Sequence, residues 1–174
     1  MRRIIPVMAA LGGLLCAAGA PPPGWTTPVI AGYGAIHVWP QATDRPDPAR
    51  TYKALFVVDG NDTARGGVNA GLVEVARAVN EFAHAHRQFR VVVKGEATPI
   101  VFDAAAFEAK YHRPNPNLDL LGKLHQAGVT LMVCGNALFG FGGTPADVSP
   151  DVTVALSALS TEIIAQNQGY AIIQ

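Results

Sequence analysis

The run from Gly128 to Gly135 restricts the fold more than any other stretch of the chain. Val129, Leu131 and Val133, with Met132 between them, make a strand that is apolar on both faces. Such a strand must be covered on each side, which is the condition of a central parallel strand between two helical layers. Cys134 closes the run at the strand's carboxyl end, and ligands bind at that edge of an open parallel sheet. The chain leaves through Gly135 toward Asn136, which is placed to cap a following helix. A thiol at a helix N-terminus meets partial positive charge that favours the thiolate. Cysteine is also among the residue types most often buried as simple packing, so spacing leaves both readings open.

The rest of the chain supplies the partners such a strand needs. Tyr52 to Asp59 and Phe89 to Val93 read as two further strands, and Val152 to Leu156 and Tyr170 to Ile173 as two more. Between them, Leu72, Val75, Ala76, Val79, Phe82 and Ala83 recur at helical spacing within 68–85. Helices are also expected over 102–111, over 118–126 with Asn117 as cap, in a short piece opened by Thr144-Pro145, and over 158–168. Strands alternating with helices predict an α/β fold, a three-layer α/β/α sandwich around a mainly parallel sheet of about five strands. The apolar stretches 97–107 and 137–141 lie outside the strands and read as surface patches of the kind that mark interfaces.

This domain occupies residues 51–174 and is preceded by two segments of different character. Residues 1–20 have the tripartite form of a cleaved secretory signal: Arg2 and Arg3, an apolar Ile4–Leu15 stretch, then small residues with the cut at Ala18 or Gly19. Leu15 before Cys16 does not fit a lipoprotein signal. Residues 21–50 form a Pro-rich arm with seven prolines, in which only 29–39 reads as a short extended segment. The expected location is the periplasm, with no membrane association after signal cleavage. Without Arg2 and Arg3 the 13 basic residues become 11 against 13 acidic ones, a formal charge of −2. That balance suggests no nucleic acid and no anionic membrane surface as partner. Cys16 leaves with the leader, so Cys134 is a lone thiol that is buried and inert, paired with another chain, or reactive.

Parallel topology alone brings three strand exits to one edge: Asp59-Gly60-Asn61, Lys94-Gly95 and Cys134-Gly135-Asn136. Cys134 and Lys94 are the candidate chemical residues, the lysine as a cation favouring the thiolate. Asp59, Gly60, Asn61, Gly95, Gly135 and Asn136 are the candidate binding residues. The 60–67 loop has neither the GxGxxG order nor a lysine followed by serine or threonine, so no nucleotide is expected. His84 and His86, two apart on a helix, would face away from each other, and no metal or other cofactor is expected. A GxSxG nucleophile motif is absent.

From about Gly32 to Gln174 the chain resembles the DsrE/DsrF-like family, in particular its exported branch. The resemblance is carried by Tyr33-Gly34, the YKALFVVDG strand beginning at Tyr52, Asn115-Pro116-Asn117-Leu118, the run 127–135, Leu156-Ser157-Ala158 and Gln168-Gly169-Tyr170. It implies an α/β/α sandwich assembled as a homotrimer or homohexamer. It also implies a persulfide on the cysteine matching Cys134, exchanged with sulfur donor and acceptor proteins. Relatives often have His-Gly where this chain has Lys94-Gly95, and relay members carry an arginine after the cysteine where this chain has Phe139-Gly140-Phe141. The leading expectation is therefore a periplasmic sulfur carrier. The alternatives are a non-enzymatic oligomeric binding or scaffold protein with a structural cysteine, and a small-ligand binder using the sheet's carboxyl edge.

Overall fold

A computed structural model describes residues 21–60 and 67–174, so the leader at 1–20 and Asn61 lie outside the described residues. The domain runs β1 (Thr51–Val58), α1 (Ala70–Glu81), β2 (His86–Val93), a 3₁₀ segment (Gly95–Val101), α2 (Ala104–Tyr111) and α3 (Leu118–Gln126). It continues with β3 (Thr130–Cys134), α4 (Gly135–Gly140), a 3₁₀ turn (Pro145–Asp147), β4 (Val152–Ala155), α5 (Ala158–Asn167) and β5 (Ala171–Ile173). All five strands are parallel, in the order β4-β3-β2-β1-β5.

That order decides where the helices go. From β1 through β4 the chain steps in one direction across the sheet, and it then crosses back to place β5 outside β1. Right-handed crossovers put helices reached by opposite steps on opposite faces. The burial agrees: Leu72, Val75 and Val79 of α1, Phe107 of α2, Leu120, Leu121 and Leu124 of α3 and Leu138 of α4 share one core with Phe89, Val91 and Val133 of the sheet. Ala158 and Ala165 of α5 pack on the other face against Leu55, Val92 and Cys134. The result is the three-layer α/β/α sandwich, thick on one side and a single helix deep on the other.

Two sequence expectations change. The stretch 97–107 is not a surface patch: Ala97, Ile100, Val101, Phe102 and Phe107 are all buried. The first four of these belong to the 3₁₀ segment and its end, which pack against β2, β3, α3 and α4 and make that stretch core. Asn117 stands at the start of α3 without capping it through its side chain. Its amide is committed elsewhere, donating to Asn115 Oδ1 at 3.1 Å and accepting from the Asn69 N–H at 2.8 Å.

The arm is held by one buried side chain. Asn80 Oδ1 accepts from the N–H groups of Val29 (2.9 Å) and Ile30 (2.8 Å), and its Nδ2 donates to the carbonyls of Tyr33 and Gly34, both at 2.9 Å. An amide satisfies four backbone groups at once, so the Pro-rich segment needs no ladder of its own there. Only glycine fits at position 34: φ is +57°, and a Cβ would lie 2.1 Å from the backbone nitrogen of Arg77. Among the described residues, no helix is long and apolar enough to cross a membrane.

Candidate functional site

In an open α/β sheet the crevice forms where neighbouring strands send their connections to opposite faces. Here β1, β2 and β3 lead to helices on the thick side and β4 leads to α5 on the thin side, so the switch falls between β3 and β4. Cys134 is the last residue of β3, and its register partner across that switch is Ala155, the last residue of β4. Topology thus sets Cys134 at the switch point without any help from its own chemistry.

Register also assembles its neighbours. Val58 pairs with Val93 and Val93 with Val133, so the next residues, Asp59, Lys94 and Cys134, continue as a row that Ala155 completes. Lys94 keeps the extended conformation, and its N–H donates to the Val58 carbonyl at 2.9 Å. Alternation along β2 and β3 sends Lys94 to the same face as Val92, and Cys134 to that of Met132, which is the α5 side.

The Lys94 ammonium lies between two carboxylates, 3.9 Å from Asp59 Oδ2 and 3.9 Å from Glu162 Oε1. Both distances are at the outer limit of ion pairing, and the lysine is about one-third exposed, so each contact is weak. Gly95 leaves room for Asp59 in this arrangement: φ is +53°, and a Cβ there would fall 1.8 Å from Asp59 Oδ1. Gly135 lies against the backbone of β4, where a Cβ would lie 2.8 Å from the Ala155 carbonyl oxygen. The close approach of the β3 and β4 exits therefore requires glycine.

Cys134 is 7 % exposed and packs with Leu55, Val92, Ala158, Met132 and Ala137. It occupies the N-cap position of α4, because the helix begins at Gly135 directly after the strand. Asn136 therefore does not cap; it sits in the first turn of α4 and is exposed. Gly60 is exposed, and its carbonyl accepts from Asn69 Nδ2 at 2.7 Å, tying the end of β1 to the start of α1. The structure thus unites Cys134, Lys94, Asp59, Gly95 and Gly135 along one edge, with Gly60 and Asn136 at its margins.

Glu162 is the member that sequence reading missed. A lone acid inside a helix reads as solvent-facing, yet Ala158, Glu162 and Ala165 follow i, i+4, i+7 spacing, and both alanines are buried against the sheet. That spacing was the available signal. Two hollows lie elsewhere. One of about 410 Å³ lies between α1 and strands β1 and β5, lined by Phe56, Glu74, Arg77 and Ile173; one of about 220 Å³ is at the opening of β3 and β4, near Thr130 and Asp151.

Comparison with known proteins gives a match to the DsrE/DsrF-like family over residues 53–174. Among solved structures, the protein of unknown function MTH1491 from Methanobacterium thermoautotrophicum is similar, with 21 % identity and a TM-score of 0.54. That likeness covers 70 % of this chain and 97 % of the other, and at this identity it bears on the fold alone. No curated protein matches the chain.

Proposed function

The chain belongs to the DsrE/DsrF-like family, which is generally associated with sulfur relay, and from that premise we propose that it is a periplasmic sulfur carrier holding a persulfide on Cys134. The observation that carries the reading is the position of Cys134 at the β3/β4 switch, next to Gly135, where only glycine allows the two strand exits to approach so closely. In the loading step the Cys134 thiolate attacks the terminal sulfur of a donor persulfide. The donor's S–S bond breaks, the donor leaves as a thiolate, and Cys134 becomes a persulfide with no net change in oxidation. Delivery to an acceptor thiol is the same exchange in reverse.

Lys94 has a conditional part in this. Its two carboxylate partners offset its charge, but both hold it loosely, so a persulfide anion on the neighbouring strand can draw the ammonium toward itself. The periplasmic location rests on the tripartite leader of residues 1–20. Assembly as a homotrimer or homohexamer is part of the same proposal. Its support is the apolar outer surface of the thin layer, where Leu156, Leu159 and Ile163 are exposed.

A second reading is favoured by one observation, the 7 % exposure of Cys134 within a packed cluster. In it the cysteine is a core residue and the protein an oligomeric binding or scaffold protein. Loading with a low-molecular-weight persulfide, followed by cyanide treatment, separates the two. The carrier releases thiocyanate and the Cys134→Ser variant does not; equal release from both proteins, or none from either, leaves the scaffold reading.

A further inference from the structure

Cys134 is 7 % exposed, and Ala158, the first residue of α5, belongs to the cluster that buries it. Sulfur exchange needs a second sulfur to reach that atom, so the way α5 is held decides access to the thiol. The helix is fastened at one end. At its C-terminal end Gln168 accepts from Arg90 Nη1 at 2.8 Å through Oε1, and from Lys53 Nζ at 3.3 Å through its carbonyl. The buried Tyr170 follows, its ring centroid 4.2 Å from the Arg90 guanidinium, and β5 then joins the sheet beside β1. At the N-terminal end the bonds stay inside the helix: Ser157 Oγ accepts from the Ser160 N–H at 3.0 Å, and Thr161 Oγ1 donates to the Ser157 carbonyl at 2.9 Å. Among the described residues, the one polar tie from these turns to the sheet is Glu162 to Lys94 at 3.9 Å, which is weak.

We propose that the first two turns of α5 are a lid over Cys134: they open from the sheet by local unfolding while the Gln168–Tyr170 end stays fixed, and the thiol reacts in the open state. Packing supports the same asymmetry. The helix rests on the sheet through Ala158, Thr161 and Ala165, where α1 uses Leu72, Val75, Ala76 and Val79. Small side chains remove little apolar area from water, which puts the free end of α5 among the segments that open at low cost. The lid accounts for a reactive sulfur that is buried at rest. Its use rests on the carrier reading of Cys134, and its opening stands on the way α5 is anchored.

Alkylation of Cys134 by iodoacetamide in native protein, over a urea series below the unfolding transition, reads the opening, with amide hydrogen exchange measured alongside. All rates are compared at one protein concentration, because a copy docked on the exposed Leu159 and Ile163 would press on the same turns. The thiol is expected to react far more slowly than in the unfolded chain, with a urea dependence well below that of global unfolding. Ser157→Ala removes the cap and is expected to speed both alkylation and exchange at Thr161 by about fivefold, with exchange at Gln168 and Tyr170 unmoved. Ser157→Asn keeps a cap and is expected to stay at the wild-type rates. A rate that follows global unfolding in urea, a native thiol as fast as an unfolded one, or unchanged alkylation in Ser157→Ala would each overturn the lid. An equal rise in exchange at Gln168 and Tyr170 would overturn it as well. A thiol that reacts freely and still takes up sulfur removes the lid and leaves the carrier; a lid that opens over a thiol taking up no sulfur does the reverse.

Discussion

Lys94, in register beside Cys134, and Glu162, 3.9 Å from its ammonium, carry opposite charges, and each can be removed alone. Glu162→Gln deletes an anion from the Lys94 group and leaves its ammonium less neutralised, so alkylation of Cys134 is expected to speed up by about threefold or more. Lys94→Met deletes the cation and is expected to slow it by a similar factor. Unchanged rates in both variants would mean that the row Asp59–Lys94–Cys134 is not coupled to the thiol. A second residue-scale prediction concerns the arm. Tyr33 donates to Asp119 Oδ2 at 2.9 Å; burial first, then that bond and the Asp119 charge, push its pKa up to about 12. An unfolded tyrosine titrates near about 10, so as pH rises between the two values the unfolded state loses its proton first. The contribution of Tyr33 is therefore complete below about pH 10 and lost toward pH 12. The stability gap between wild type and Tyr33→Phe, read from urea midpoints, is expected to narrow between pH 9 and pH 12. At this scale Cys134 and Lys94 were legible because strand ends can be read from apolar runs. Asn136 was misread because nothing in the sequence shows that α4 starts with no linking residue, and Glu162 was missed because its partner lies on another element.

Among the elements, the strands were the most legible. Apolar runs such as 89–93 and 129–133 locate them, and the predicted helices over 118–126 and 158–168 agree with α3 and α5 to within a residue. What could not be read was any element made by long-range closure. The 3₁₀ segment Gly95–Val101 contains Pro99 and has no helical periodicity, and its burial comes from packing against β2, β3, α3 and α4. The Asn69–Asn115–Asn117 amide network was likewise invisible, since each of these asparagines reads locally as a cap or turn residue. Asn80, a buried polar residue in the last turn of α1, shows the same limit, because its four partners are about 50 residues upstream. Asn80→Ala leaves those backbone groups without their partner and is expected to cost about 3 kcal/mol. It should also make 21–50 the first site of limited proteolysis while the cut domain keeps its parallel sheet. An arm as resistant as in wild type would contradict the clamp.

For the whole molecule, alternating strands and helices were enough to give the α/β/α class, and strand order was not, because several orders satisfy the same alternation. The observed order β4-β3-β2-β1-β5 is what sets the switch at Cys134 and leaves a single helix on one face. That thin face, with Leu159 and Ile163 one turn apart and exposed, is where self-association is expected. Leu159→Asp with Ile163→Asp should reduce a trimer or hexamer to a monomer by light scattering, with circular dichroism unchanged. An assembly of unaltered size would place the interface elsewhere. The central claim concerns Cys134, and intact mass after incubation with inorganic polysulfide tests it most directly. The account predicts a gain of whole sulfur atoms on the wild type, removed by a reducing thiol and absent from Cys134→Ser. A wild type that gains no sulfur, and whose thiol resists alkylation when native but reacts once unfolded, would contradict it.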